Sequence, residues 1–193
     1  MDFAFTEEQD AIRDTARRFA VDRLAPDFRQ REIDRRIGRD VISEMGALGL
    51  IGADLPAEYG GLGLDCVTAG VIIEEIAAAD LSVSYINLIT SLNGQMLAAH
   101  AAPELAAKSI GDLCAGRSIT ALGLTEPGGG SDAANLKLRA RRDGDDYVLN
   151  GEKTSISFST QADTVLLFAR TGAEEERAHG VSTFYAPLDG AGV

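Results

Sequence analysis

Ten consecutive residues near the middle of the chain, Gly123-Leu124-Thr125-Glu126-Pro127-Gly128-Gly129-Gly130-Ser131-Asp132, combine the residue types needed to hold an anion. Three adjacent glycines let a backbone come close to a ligand and turn several N–H groups towards it, which suits a pyrophosphate. Thr125 and Ser131 add hydroxyl donors on either side. A plain turn between two strands would use the same glycines, so the stretch by itself leaves both readings open. Two other phosphate loops are excluded. No Lys-Ser/Thr pair follows the glycines, and they lack the dinucleotide spacing between a strand and a helix. Glu126 and Asp132 are expected to order the loop by accepting from nearby backbone N–H groups.

Other chemistry-bearing residues are sparse. Cys66 and Cys114 each fall in a segment of helical periodicity, outside any metal-like spacing, and are expected to be buried thiols of a reducing compartment. His100 and His179 are too few and too far apart for a metal site. The net charge of −12 favours solubility and disfavours nucleic acid or an anionic membrane as partner. Arg31, Arg35, Arg36 and Arg39 form a local basic cluster, but Glu32, Asp34 and Asp40 interleave it, which reads as a solvated loop or helix face. Met1-Asp2-Phe3 is acidic from the start and has no targeting character, which suits the bacterial cytoplasm or a processed mitochondrial matrix protein. Leu81 to Pro103 contains no Asp, Glu, Lys or Arg. Its Ser82, Ser84, Asn87, Thr90, Ser91, Asn93 and Gln95 make it too polar for lipid. A helix buried on most sides is expected instead, its polar groups paired inside the protein.

The elements that must position the glycine stretch fall into two blocks. Residues 1–117 read as a helical domain. Thr6 and Gln9 have capping-box spacing, and Ile12, Ala16, Phe19, Ala20 and Leu24 recur at helical intervals up to Pro26. Val41, Met45 and Leu48 mark a second helix closed by Gly49. Pro56 to Gly63 is a glycine-rich loop. Asp65 can cap a third helix through Ala79, with Val67, Val71, Ile72, Ile76 and Ala79 inward. The uncharged helix follows over Ser82–Ala101, and Pro103 opens a fifth that ends near Gly116. Residues 118–193 then change to β-branched runs and tight turns. Strands are expected over Ser118–Leu124, Leu136–Arg142, Tyr147–Leu149, Thr164–Ala169 and Val181–Ala186, with a hairpin turn at Asp143-Gly144. The fold class is therefore α+β: an all-α domain followed by an antiparallel barrel- or sandwich-like domain. Gly190-Ala191-Gly192-Val193 has no terminating element, which suggests a β domain cut short.

The glycine stretch resembles the signature of the acyl-CoA dehydrogenase family: Gly, aliphatic, Thr, Glu, two variable positions, small, Gly, Ser, Asp. Asn135 stands where the family usually has a small residue. Supporting matches are spread along the chain. Pro56 to Leu64 resembles the loop before the family's third helix, Glu74-Glu75-Ile76-Ala77 the helix after it, and Gly94-Gln95-Met96 the fourth helix. Asn150-Gly151-Glu152-Lys153 followed by Ser155-Ile156-Ser157 resembles the second flavin-contacting strand.

The resemblance implies an N-terminal helical domain, a middle β domain and a C-terminal four-helix domain, of which the chain would hold the first and most of the second. It implies FAD as cofactor and α,β-dehydrogenation of an acyl-CoA thioester. A carboxylate from the C-terminal domain would remove the α-proton while the β-hydrogen leaves as hydride, so no catalytic base is expected within these residues. It further implies an electron-transfer flavoprotein as electron acceptor and a homotetramer or dimer. Leu122, Gly123, Leu124, Thr125, Gly128, Gly129, Gly130, Ser131, Ser155, Ile156 and Ser157 then fall at cofactor positions. Leu124 and Thr125 take the place where donors meet the charge of the reduced flavin at N1 and the C2 carbonyl, and Ser157 the place near N5. Ser155 stands where family members often carry an aromatic residue beside the flavin ring. Ser131 matches a position near the flavin phosphates and the pantetheine arm, and Tyr85, Leu88, Ile89 and Leu92 are candidates for the acyl pocket. An acyl-CoA oxidase, or a non-catalytic scaffold that keeps the fold, would share these features.

Overall fold

The computed structural model describes residues 4–189, so Met1-Asp2-Phe3 and Gly190–Val193 lie outside the described residues. The chain divides into two compact units, one through Ile119 and one from Thr120 onward.

The first unit is helical. Helix α1 (Glu7–Phe19) opens on the capping box expected at Thr6: Gln9 N donates to Thr6 Oγ1 at 3.2 Å and Thr6 N to Gln9 Oε1 at 3.0 Å. Its acidic first turn and basic last turn complement the helix dipole. Near Pro26, which cannot donate to a helical ladder, the chain passes through a π turn (Ala20–Leu24) and a 3-10 turn (Ala25–Asp27). It resumes as α2 (Phe28–Asp34), ended by Arg35 at φ 51°. Helices α3 (Arg39–Ala47), α4 (Cys66–Ala79), α5 (Leu81–His100) and α6 (Pro103–Cys114) follow. Asp65 caps α4, accepting from Thr68 N at 2.7 Å. Helix α4 packs on both α1 and α5, and α5 on α6. Ala16, Phe19, Ile42, Met45, Ile72, Ile76, Ile86, Ile110 and Leu113 are among the buried core residues.

Three expectations change here. Arg31 is not solvated: its guanidinium pairs with the buried carboxylate of Asp80 at 2.8 Å and also donates to the Leu24 carbonyl. Asp80 in turn caps α5 by accepting from Val83 N at 3.1 Å, so the basic cluster supplies the counter-ion of a buried helix cap. Val67 and Cys66 sit on the exposed side of the first turn of α4, while Cys114 is buried. The surroundings of Cys114 resist a charge, and burial pushes its thiol up to about 11. Helix α5 buries its polar stripe: Ser84, Asn87, Thr90 and Asn93 face inward. Asn87 and Ser91 donate to the Leu50 carbonyl and Asp54, and Gln95 to the Asp54 carbonyl at 2.9 Å. The opposite stripe, Leu81, Tyr85, Leu88 and Leu92, is exposed by 63, 42, 48 and 44%. Among the described residues no helix is long and apolar enough to cross a membrane.

The second unit is a sheet of β1 (Thr120–Gly123), β2 (Arg139–Asp143), β3 (Asp146–Asn150), β4 (Thr164–Arg170) and β5 (Val181–Pro187). The order is β1-β4-β2-β3, with β5 on the other side of β4. β2 and β3 form the expected hairpin, turned at Gly144 (φ 65°) and Asp145. The class is α+β as expected, but the pairing is mixed rather than antiparallel and the sheet is not closed. β4 runs parallel to β1 over four residues and to β2 at Arg170, and antiparallel only to β5. The long connection between β1 and β4 permits the parallel pairing, which a hairpin turn could not. Ser155-Ile156-Ser157, expected as a strand, is irregular, because Ser155 (φ 56°) and Phe158 (φ 61°) both take left-handed conformations incompatible with extended pairing.

Candidate functional site

The site grows out of the end of β1. A Cβ at Gly123 would lie 2.7 Å from Leu167 Cδ1 and 3.1 Å from Val165 Cγ2, so β1 lies close against β4 side chains there and a larger residue would have to displace them. Beyond it the chain leaves the sheet and is pinned residue by residue. The Leu124 carbonyl accepts from Lys153 Nζ at 3.0 Å, and the Thr125 carbonyl from Thr154 N at 2.9 Å. The Glu126 carboxylate accepts from Lys137 N at 2.5 Å, Leu138 N at 2.9 Å and Lys153 Nζ at 2.8 Å. Gly129 N then closes a tight turn onto the Glu126 carbonyl at 3.1 Å. Gly151 (φ 147°) allows residues 150–154 to approach: a Cβ there would lie 2.6 Å from Leu138 Cα.

The far end of the loop is held by arginines. Arg177 Nη2 donates to Asp132 Oδ1 at 2.7 Å. The buried guanidinium of Arg170 donates to the carbonyls of Ala134 (2.6 Å), Leu136 (3.2 Å), Ala173 (3.0 Å) and Arg177 (3.2 Å). These bonds join the 3-10 turns Ala133–Asn135 and Glu174–Gly180 to the end of β4.

These segments enclose a cavity of about 400 Å³, lined by Leu124 to Gly130, Asp132, Asn135, Leu136 to Leu138, Gly151 and Glu152. A Cβ on Gly128, Gly129 or Gly130 would meet nothing within 4 Å, and none of the three has a positive φ. Their backbone therefore faces open space and is reachable by a ligand. The two carboxylates of the loop are each paired with a cation, Lys153 or Arg177, so they do not leave a bare negative field against an anion. Burial alone would push the Glu126 carboxyl up. The hydrogen bonds from Lys153, Leu138 N and Lys137 N outweigh it and hold the group below its usual 4.5. The residues present thus fit a pyrophosphate-bearing cofactor: an approachable glycine backbone, neutralised carboxylates and an apolar wall at Leu136 and Leu138.

The structure brings Leu124, Thr125 and Gly128 to Gly130 together around this cavity. Leu122 and the buried Gly123 lie in β1, exposed Ser131 follows the glycines outside the lining, and Ser155, Ile156 and Ser157 lie in the irregular segment after the loop. Tyr85, Leu88 and Leu92 share the exposed stripe of α5 and Ile89 is buried. Sequence reasoning missed Lys153 and Arg170 as parts of the site. Neither has a local signal, since their partners are 27 or more residues away, apart from the Ala173 and Arg177 carbonyls near Arg170.

The order of these elements is matched by known proteins. Residues 6–117 match the family described as acyl-CoA dehydrogenase, N-terminal domain, and residues 121–193 match acyl-CoA dehydrogenase, middle domain. The chain belongs to the acyl-CoA dehydrogenase family. A relative in Bacillus subtilis (strain 168), the probable acyl-CoA dehydrogenase YngJ, is 32% identical over 195 residues, covering 100% of this chain and 51% of its own. Among solved structures, one described as the electron transferring flavoprotein of Acidaminococcus fermentans superposes with a TM-score of 0.91 at 33% identity, over 100% of this chain and 50% of that one. A glutaryl-CoA dehydrogenase from Mycobacterium smegmatis in complex with FADH2 superposes with a TM-score of 0.88 at 28% identity, over 97% and 47%. The chain spans about half the length of the acyl-CoA dehydrogenase relatives it matches.

Proposed function

We propose that the intact protein binds FAD non-covalently and oxidises an acyl-CoA thioester at its α,β carbons. The observation that carries this is the Gly128–Gly130 backbone, open to a ligand and required by nothing inside the fold. The FADH2 complex of the similar glutaryl-CoA dehydrogenase supports the cofactor. Bound FAD supplies the acceptor for the β-hydrogen. The chain's own residues bind and orient it. The N–H groups of Gly128 and Gly130 and the Ser131 hydroxyl serve the pyrophosphate, whose charge they meet as donors, while the Gly129 N–H holds the turn onto the Glu126 carbonyl. Leu122 to Thr125 serve the pyrimidine side, where donors stabilise the charge that reduction brings. Ser155, Ile156 and Ser157 serve the ring edge near N5. On α5, Tyr85, Leu88 and Leu92 offer apolar surface to an acyl chain, and Ile89, one turn from Tyr85, is buried beside them.

The base that removes the α-proton is proposed to come from sequence outside these residues. An electron-transfer flavoprotein is the proposed acceptor, supported by the similarity to a chain from a study of such a flavoprotein, and the assembly is a homotetramer or dimer in a bacterial cytoplasm or mitochondrial matrix. The test is spectroscopic. The purified intact protein should show flavin absorbance, and anaerobic mixing with a panel of acyl-CoA thioesters should bleach it with at least one of them. Absence of flavin bands even after FAD is added would end the proposal. Rapid reoxidation by air would make the protein an oxidase.

A further inference from the structure

The buried pair of Lys153 and Glu126 lies at the cavity wall, with Glu126 in the lining and Lys153 behind it, and nothing in the dehydrogenation chemistry calls for it there. The side chains are 7% and 9% exposed and meet at 2.8 Å. Removing two ions from water is costly, and a hydrophobic pair of similar volume often serves a fold equally well. The second contact of Lys153 shows what the pair is placed to do. Its ammonium also donates to the Leu124 carbonyl at 3.0 Å. A trans peptide is planar with its C=O and N–H opposed, so a cation on the Leu124 oxygen directs the Thr125 N–H away from itself. The next peptide is fixed too, by Thr154 N on the Thr125 carbonyl at 2.9 Å. Residues 153 and 154 therefore set both peptides that flank Thr125. Glu126 is anchored by Lys137 N and Leu138 N as well, which leaves the ammonium little freedom to move.

We propose that Lys153 is a positioning residue for the bound flavin, orienting and polarising the Leu124–Thr125 peptide so that the Thr125 N–H is a stronger donor to the reduced cofactor. This rests on the FAD reading of the site. Charge-assisted hydrogen bonds are the stronger kind, and in a buried setting successive donors polarise one another. Polarisation of the carbonyl end makes the N–H end more positive. The negative charge that reduction places on the pyrimidine side is then stabilised more than the neutral oxidised ring. Lys153 thus raises the flavin potential, and Glu126 moderates it.

The two halves of the pair consequently act with opposite sign. In the intact, FAD-loaded protein, Lys153→Met is expected to lower the two-electron potential. The oxidised-to-reduced ratio at fixed poise should change tenfold or more, which is about 30 mV for a two-electron couple. Lys153→Arg, which keeps the charge, should return the potential towards that of the wild type. Glu126→Gln leaves the cation without its counter-charge and should raise the potential. Should either single variant fail to fold, the double variant Lys153→Met, Glu126→Gln leaves no unpaired charge and should still lie below the wild type. A structural tether alone would lower the melting temperature and weaken FAD binding while leaving the potential in place. That result, or shifts of the same sign in Lys153→Met and Glu126→Gln, would overturn the inference. A wild-type protein that binds no FAD would instead remove the functional reading beneath it.

Discussion

Two glycine clusters in this chain look alike in sequence and differ in every physical respect. In the helical unit, Gly60-Gly61-Leu62-Gly63 is demanded by the fold. Gly60 and Gly63 take φ of 96° and 63°, and a Cβ on Gly61 would lie 2.1 Å from the Leu55 carbonyl oxygen. In the sheet unit, Gly128-Gly129-Gly130 has neither a positive φ nor a neighbour within 4 Å of a Cβ. An internal demand explains the first cluster. The second has none, so its glycines are best explained by something that approaches from outside. Glycine runs are ambiguous in sequence because both uses need the same residue, and the space around each Cβ separates them.

The comparison breaks most decisively at Gly61. Gly61→Ala drives a methyl into backbone, and overpacking of this kind costs on the order of 3 kcal/mol. Urea unfolding should show it as a lower midpoint, and an unchanged midpoint would mean that the loop deforms freely. Gly129→Val should do the reverse. Stability should stay within about 0.5 kcal/mol, as at an unconstrained surface position, while FAD affinity falls tenfold or more, about 1.4 kcal/mol.

Acid sharpens the contrast further, because the sheet-unit loop is tied by a carboxylate. Glu126 has its carboxyl held below the usual 4.5, so the folded state binds its proton less readily than the unfolded chain does. The stability it contributes is fully present above that ordinary value and is lost as pH falls through the lower folded one. Glu126→Gln should therefore flatten the acid limb of a stability–pH curve below about pH 4.5, leaving its slope above that unchanged. The smallest effect is expected at Ser155. A left-handed residue costs roughly 1–2 kcal/mol, and the extra chain entropy of glycine offsets part of that. Ser155→Gly should gain about 0.5 kcal/mol in thermal unfolding, and a clear loss would mean that the Ser155 side chain holds the segment in place.

Local signals in the sequence carried over well. The Thr6–Gln9 box, the Asp65 cap and the β2–β3 hairpin depend on residues three apart or on a two-residue turn. Non-local partners did not. Arg31 looked solvated because its counter-ion Asp80 is 49 residues away, and Lys153, within a family motif, showed no role of its own because its partner Glu126 is 27 away. The glycine stretch was legible as a candidate anion loop, and the cavity around it was not, since Leu136 to Leu138 and Gly151 reach it only through the sheet. Ser155 to Ser157 reads as a strand only through the family resemblance, and the left-handed backbone at Ser155 and at Phe158 just beyond it breaks the extended conformation.

The most direct test is a titration of the apo form of the intact protein with FAD, wild type beside Gly129→Val. Saturable binding by the wild type, with at least tenfold weaker binding by a variant of unchanged stability, is the predicted result. Equal dissociation constants would show that Gly128 to Gly130 form only a turn, and would contradict the assignment of this loop to the cofactor.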